Sequence, residues 1–566
     1  MSHIYTSPYG SMPNLPEQTV FTYLWSNPHK ISDDATALID SETGRKISRR
    51  ELRESSQRLA HGLVHGPIKA RQGEVVCVFG VNSVHYYQIL FALQCAALVC
   101  SPANVAYSVA ELKHQLSDSG STILFCHPSV LEVAHAAAKS AGWSDQQLRE
   151  RIVLTVPRSA AGSIKQHKTF DEVESKKDLL QPVRVKDVKD EVAYLCFSSG
   201  TTSAAKGVQT THHNMTSVLN QLGPFRATDK DVAIAILPLS HIYGLTKLVH
   251  WPILVGMPVV VMPKFELVPF LKTSEKHKVS VVLLVPPVAL LLAREKMVAD
   301  YDLSSFRLIV SGAAPLGANL ELELAERLKP ALVRQAYGMT ESSPTTHLCS
   351  LDKATPGAIG YLLPNVEGRI VDPVTFKDVK EGEEGEIWMR GPCIMKGYHN
   401  KPKETDETLV ERSEGKGPWL RTGDVAYVKD NAFYICDRIK ELIKVPPAEL
   451  EALLIGHPKV KDAAVIGVYS EEEQTEFPRA YVVPADLAAA QRDPAAYEKE
   501  LQAYIAKNAA PHKRLRGGVR VIEAVNKSPS GKILRRTYST SERVANELTR
   551  TEEIAKKDPV VRQARL

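Results

Sequence analysis

Through the first half of the chain, hydrophobic positions switch repeatedly between two rhythms. Leu52, Leu59, Ala60, Leu63 and Val64 recur at helical spacing and predict a helix over residues 50–64. A short apolar run then predicts a strand at 74–80, followed by a helix at 83–98, a strand at 121–126 and a helix at 129–140. A charged connector at 186–191 leads into an apolar run of strand character at 193–197, and His213-Asn214 opens the next helix. A second round follows: strand 232–236, helix 249–255, strand 258–262, helix 267–277 and strand 279–285. Strands alternating with helices imply parallel strands joined by crossover helices, an α/β layered fold. Two such rounds predict two related subdomains in one large N-terminal body. The longest apolar run, around residues 279–292, contains Pro286-Pro287 and reads as a buried strand followed by a helix. No run reaches the ~18 residues that span a bilayer.

From Glu386 the pattern changes, and short strands punctuated by Gly391 and Gly397 suggest a small β-rich part. Beyond it lie a helix at 448–454, strands at 463–468 and 479–483, a helix at 498–508 and a basic segment. These make a compact α+β domain of their own. The boundary is placed between Cys436 and Asp437, giving an N-terminal domain at 1–436 and a C-terminal domain at 437–566.

Composition narrows the function classes. At 566 residues the chain exceeds the ~250–300 over which one core grows. Apolar content of 44% and charged content of 24% are those of an ordinary globular protein. A net charge of +5 on this length argues against a dedicated nucleic-acid binder. The 8 cysteines show no Cys-x-x-Cys and mostly sit in apolar runs, which fits a reducing, intracellular compartment. The N-terminus has no apolar core of a secretory signal.

One stretch carries the chemistry. The apolar run ends abruptly at Ser198-Ser199-Gly200-Thr201-Thr202-Ser203, followed by Ala204-Ala205-Lys206-Gly207. Small hydroxyl residues and glycine let backbone N–H groups approach an anion, and Lys206 adds a mobile positive charge. This is the composition of a phosphate cradle, but not of a Walker A loop. By residue type alone it also reads as a flexible polar turn. Thr340-Glu341 offers a lone carboxylate suited to a magnesium ion that keeps its waters, or simply a solvated turn. Asp424 can accept two hydroxyl hydrogen bonds, as a ribose diol would give, or serve as an ordinary turn carboxylate.

The order of these segments resembles the adenylate-forming superfamily: acyl-CoA synthetases, luciferases and peptide-synthetase adenylation domains. Besides the phosphate loop, the matching motifs are Gln335-Ala336-Tyr337-Gly338-Met339-Thr340-Glu341, Arg421-Thr422-Gly423-Asp424, the run from Asp437-Arg438 through Lys440 to Lys444, and Pro529-Ser530-Gly531-Lys532. The resemblance covers nearly the whole chain and is closest to the 4-coumarate–CoA ligase-like branch. Two loop positions depart from the pattern: Ser203 stands in place of Gly and Ala205 in place of Pro.

The resemblance implies an ATP- and Mg²⁺-dependent acid–CoA ligase working through an acyl-adenylate, with coenzyme A as co-substrate and a mobile C-terminal domain. It implies that Glu341 helps hold Mg²⁺, that Thr340 contacts the α-phosphate, and that Gly312, Ala313 and Ala314 wall the adenine. Asp424 and Arg438 would meet ribose or phosphate. Lys532 would bridge carboxylate, ribose and phosphate, and Asp437 would be the hinge. His241 resembles a gate beside the acyl pocket, which Ile242, Tyr243, Lys247, Ala336 and Gly312 would line. An arylacrylic acid, a medium-chain fatty acid or a dicarboxylic half-ester would each fit. Lys247 stands where a small polar residue is common; it would either pair with a second acidic group on the substrate or turn into solvent.

After Lys444 the chain passes at once to Val445-Pro446-Pro447-Ala448-Glu449-Leu450-Glu451, roughly five residues shorter than the family pattern, enough to remove a hairpin turn. The missing turn borders the thiol tunnel in relatives, and its loss is either real or a misplaced exon boundary. Two rivals therefore stand beside the ligase: an adenylating enzyme that does not use coenzyme A, and a non-catalytic nucleotide- or acyl-binding relative. The final Ala564-Arg565-Leu566 resembles a peroxisomal address read by an import receptor, with the cytoplasm as the alternative location.

Overall fold

The computed structural model describes residues 3–198, 205–411, 417–438, 447–470, 475–509, 514–528, 531–535 and 537–538. The chain divides into two compact units. The first runs through Thr422 and adds Tyr427–Tyr434, and the second takes Gly423–Ala426 and continues from Ile435. The expected break between Cys436 and Asp437 therefore lies just inside the second unit.

Two large sheets dominate the first unit, one for each round of the hydrophobic pattern. In one, Val75–Phe79, Val99–Ala103, Ile123–Cys126 and Ile152–Leu154 lie parallel in the spatial order second, first, third, fourth. In the other, Ala233–Ala235, Val259–Val261, Val281–Leu284, Leu308–Ser311 and Leu332–Gly338 repeat that order and append the fifth strand beside the fourth. A doubly wound sheet of this order reverses direction next to its first strand, which opens a crevice outside the strands' carboxyl ends. The strands are short and apolar because helices cover both faces. Helix Val84–Cys95 shows why: it packs against strands of both sheets, and every residue except His85 is buried. Such a helix needs no polar face. A third sheet, built mainly from Glu367–Val371, Gly385–Arg390 and Trp419–Lys429, forms the β-rich part.

The expected helix at 249–255 is longer and less regular. It starts at Ile242, passes through a π-helical segment at Leu245–His250 and regains α geometry at Trp251–Val255. Pro252 explains this: a helix interior needs an N–H that proline lacks. The wider turn lets Trp251 donate to the Thr246 carbonyl instead. The hydroxyl of Tyr87 donates to the Leu248 carbonyl at 3.1 Å, and the Nδ1–H of His250 donates to the Leu245 carbonyl at 2.7 Å. The Tyr87 hydroxyl thus reaches the carbonyl whose α-helical partner would be the N–H that Pro252 lacks.

The second unit is an antiparallel pair, Val460–Ser470 and Thr475–Pro484, with Val519–Val521 parallel to the latter. Helices Pro447–Ile455 and Pro494–Asn508 cover one face, where Leu450, Leu454, Leu501 and Ile505 pack on Val465 and Val482. Among the described residues no helix is long and apolar enough to cross a membrane.

Candidate active site

Three groups of the expected site residues of the first unit collect at the carboxyl ends of the second sheet. His241 to Lys247 follow Ala233–Ala235, Gly312 to Ala314 follow Leu308–Ser311, and Met339 to Glu341 follow Leu332–Gly338. The topology alone predicts a crevice there.

The side expected to take the acyl group is built around Tyr243. The phenol donates to the Val310 carbonyl at 3.1 Å, and burial holds its pKa well above the ordinary value, so it stays a donor. The ring lies flat against Gly312, where a Cβ would come within 3.2 Å of it. Any side chain at this position would push the ring back by a few tenths of an ångström. His241 caps the short helix, its Nδ1 accepting the Tyr243 N–H at 3.3 Å. Ala313 holds a left-handed backbone at φ 68°, which turns the chain sharply away from the strand beside Ala314. Ile242 and Lys247 are buried, and Ala336 to Met339 are half-buried.

Gln335 has a different part to play. Its Oε1 accepts the Leu316 N–H at 2.9 Å and its Nε2 donates to Glu321 at 2.8 Å. Both ends of the amide are thereby engaged in fixing the loop after Gly312. Glu321 also accepts the Gly357 N–H at 3.1 Å, and burial raises its pKa. The Gln335 side chain is thus part of a buried support.

The side expected to hold phosphate joins distant segments. Strand Lys206–Thr211 runs antiparallel to Val192–Ser198, with Lys206 opposite Ser198. Of the loop between them, Ser199, Gly200, Thr201, Thr202 and Ser203 lie outside the described residues. The Nε2–H of His114 donates to the Ala205 carbonyl at 2.7 Å and anchors the return strand. Strand Gly397–Tyr398 adds to its other edge, with Tyr398 opposite Val208. This pairing sets the Tyr398 ring 4.7 Å from the Lys206 ammonium and lets its hydroxyl donate to Glu341 Oε1 at 2.9 Å. Thr340 and Glu341 are buried, and the Met395 N–H holds the Glu341 carbonyl at 2.8 Å.

Tyr398 was not among the expected site residues. Only the glycine before it stands out in the sequence, and the contact depends on pairing with a strand nearly two hundred positions upstream. No cluster of three or more metal-ligating side chains occurs among the described residues. Magnesium does not need one, because it is commonly held by one or two carboxylates together with substrate phosphates. Glu341 fits that donor set.

In the second unit, Lys532 sits on a tight loop. Ser528 and Lys532 face each other, the Ser528 N–H donating to the Lys532 carbonyl at 2.7 Å and the Lys532 N–H to Ser528 Oγ at 3.1 Å. Gly531, at φ 81°, supplies the left-handed turn residue. The neighbouring cations are structural: Lys527 pairs with Asp462 at 2.5 Å and Arg535 with Glu451 at 2.7 Å. Asp424 is buried on Trp419–Lys429. Asp437 and Arg438 end the strand Ala432–Arg438, while Lys440 and Lys444 lie outside the described residues.

Residues 26–399 match the AMP-binding enzyme family, and residues 449–532 match the AMP-binding enzyme C-terminal domain. The chain is 35% identical over 534 residues to 4-coumarate-CoA ligase 1 of Narcissus pseudonarcissus, covering 91% of this chain and 92% of that one. It is 34% identical over 531 residues to 4-coumarate–CoA ligase 1 of Petroselinum crispum, again over 91% and 92%. Its fold is shared with ATP-bound MatB from Rhodopseudomonas palustris, at a TM-score of 0.79 and 24% identity over 93% and 99% of the two chains. The chain belongs to the AMP-binding enzymes, in the 4-coumarate–CoA ligase-like branch of the adenylate-forming superfamily.

Proposed function

We propose that the protein is an ATP-dependent carboxylic acid–CoA ligase that acts through an acyl-adenylate. In the first step a carboxylate oxygen attacks the α-phosphorus of ATP. A C–O–P bond forms and pyrophosphate leaves. In the second step the coenzyme A thiol attacks the acyl carbon, AMP leaves, and the thiol proton passes to solvent. The observation that carries this reading is the gathering of Tyr243, Gly312, Thr340 and Glu341 at the carboxyl ends of one parallel sheet in a chain of this family.

Each residue has a job set by its chemistry. Lys206 and the hydroxyls before it hold phosphate oxygens, and Thr340 contacts the α-phosphate. Glu341, steadied by Tyr398, holds Mg²⁺, which supplies charge neutralisation on the phosphates when bound. Asp424 accepts the ribose hydroxyls, with Arg438 beside them. The Gly312-Ala313-Ala314 turn takes the adenine, and small side chains there permit close approach. His241, Ile242 and Tyr243 shape the entrance to the acyl pocket. Lys532 gathers carboxylate, ribose and phosphate oxygens during adenylation, and the C-terminal domain then turns about Asp437 for the thiol step.

A single-turnover experiment tests this: enzyme in excess over a radiolabelled acid, with ATP, Mg²⁺ and coenzyme A. Acyl-CoA and AMP should form together after a transient acyl-AMP. Acyl-AMP persisting unchanged with coenzyme A present would assign the chain to adenylation alone. Binding of ATP with no acid-dependent pyrophosphate would remove catalysis altogether. Residues 441–446, which carry the shortened segment after Lys444, lie outside the described residues, so the thiol step rests on this measurement. We further propose that Ala564-Arg565-Leu566 addresses the enzyme to the peroxisome. That tripeptide also lies outside the described residues.

A further inference from the structure

Lys247 is the least exposed lysine or arginine among the described residues, at 1% of its surface. Other buried cations have partners: Arg49 donates to the carbonyls of Leu24 and Ile253, and Arg369 pairs with Asp378 at 2.7 Å. The Lys247 ammonium touches only two ring faces among the described residues. It lies 4.4 Å from the Phe225 centroid and 5.2 Å from that of Tyr243, with no carboxylate or hydrogen-bond acceptor.

An ammonium stripped of water loses several kcal/mol of hydration. Two aromatic faces return roughly 2 kcal/mol each, which offsets only part of that loss. The shortfall shows in its acidity: burial pushes the Lys247 pKa down to about 7, so the site is poised to hold a charge once an anion arrives. Its place in the fold says where such an anion would come from. Lys247 sits in the wide π-helical segment Leu245–His250, one turn beyond Tyr243, whose ring closes on Gly312 at the sheet's carboxyl end.

We propose that Lys247 binds a second carboxylate at the far end of the acid, so that the enzyme's substrates are dicarboxylic acids activated at one end only. This deepens the ligase reading above and rests on it. The second carboxylate is chemically untouched: it supplies the anion Lys247 lacks, and the Phe225 and Tyr243 rings bracket the ion pair.

The test compares acid-dependent pyrophosphate release by the full-length protein on matched acids: hexanoic against adipic, cinnamic against 4-carboxycinnamic, and 6-hydroxyhexanoic as a neutral acceptor. In each pair the dicarboxylate should lead in kcat/KM by about tenfold or more. Lys247→Met should lose on the order of 100-fold on the dicarboxylates and gain on the monocarboxylates, whereas Lys247→Arg keeps the preference for the dianion. The comparison on unaltered protein decides the matter even if a variant fails to fold. Equal or better use of monocarboxylates overturns the proposal and leaves the ligase reading standing. A lead for the hydroxy acid overturns the anionic substrate class, and a preference unchanged in Lys247→Met overturns the role of this residue. Pyrophosphate release with no acid in either series overturns the ligase reading, and this inference with it.

Discussion

Tyr398 donates its hydroxyl to Oε1 of Glu341 at 2.9 Å while its ring faces the Lys206 ammonium at 4.7 Å. One side chain thus orients both the carboxylate proposed to hold the metal and the lysine proposed to hold phosphate. Burial and the neighbouring carboxylate keep the phenol's pKa well above the ordinary value, so it remains a donor at any working pH. Removing the hydroxyl frees the carboxylate to rotate without creating a cavity. Tyr398→Phe should lower acid-dependent pyrophosphate exchange by about 10–100-fold and raise the Mg²⁺ concentration at half-maximal rate. Glu341→Gln should do the same more severely. A Tyr398→Phe enzyme with an unaltered Mg²⁺ dependence would show that the hydrogen bond has no bearing on the metal.

Lys532 stands on a loop whose flanks are pinned independently, by Lys527 to Asp462 and by Arg535 to Glu451. Changing Lys532 should therefore leave the second unit folded. Lys532→Ala is expected to cut acid-dependent pyrophosphate exchange by on the order of 10²–10³-fold with little change in thermal midpoint. If it cuts thioester formation from preformed acyl-AMP equally, the lysine belongs to both steps. Unchanged exchange would remove its assignment to adenylation.

How legible the fold is in the sequence depends on where each element's hydrogen bonds and packing come from. Buried parallel strands such as Val281–Leu284 read as unbroken apolar runs because both faces are covered. Val99–Ala103 does not, since Ser101 and Pro102 interrupt the run; the Ser101 hydroxyl instead donates to the Leu195 carbonyl on a neighbouring strand. The start of the helix at Ile242 is hidden by Gly244 and Pro252, whose cost is met in part by Tyr87 from another helix and by His250 within the same one. At the site, Glu341 and Lys206 stand out by their motifs, while Tyr398 and Phe225 reach it through long-range pairing and packing that no local pattern carries.

Buried histidines, among them His250, His212 and His347, should make the first unit acid-sensitive. His250 accepts the Tyr194 hydroxyl at Nε2, and His212 accepts the Val20 N–H at Nδ1. Burial lowers both to about 4 and His347 to about 3, against 6.5 in an unfolded chain. A depressed folded-state pKa means that the unfolded state binds the proton first. Stability is therefore complete above pH 6.5 and falls as pH drops toward 4, by about 1.4 kcal/mol per pH unit per histidine. The thermal midpoint should hold from pH 8 to about 6.5 and then fall steeply. His250→Gln should lower it at neutral pH and make the fall shallower. A midpoint flat down to pH ~4.5 would mean that these imidazoles are already charged in the fold.

The proposed peroxisomal address at Ala564-Arg565-Leu566 makes a cellular prediction. A fluorescent fusion placed ahead of the intact C-terminus should appear in punctate peroxisomes, and removal of residues 564–566 should disperse it through the cytoplasm. Punctate signal surviving the truncation would move the address elsewhere in the chain.

Gly338 links the sheet to the site most tightly. It pairs with Thr345 where the register between Leu332–Gly338 and Thr345–Leu348 shifts. A Cβ at this position would fall 1.5 Å from the Pro344 carbonyl oxygen and 2.5 Å from its carbon. These are backbone atoms, so no change of rotamer relieves the clash; the two strands must part. Parting them displaces the 3₁₀ turn Thr340–Ser342, which is braced by Ser342 Oγ accepting the Met339 N–H at 3.0 Å and donating to the Pro344 carbonyl at 2.9 Å. Gly338→Ala should cost about 3 kcal/mol or more in denaturant unfolding and weaken Mg²⁺–ATP binding measured by calorimetry. Ala336→Gly, on the same strand but without such a contact, should cost only about 1 kcal/mol and leave binding near its original strength. If Gly338→Ala unfolds at the same denaturant concentration as the parent, the strand pairing that carries Glu341 is looser than the geometry requires.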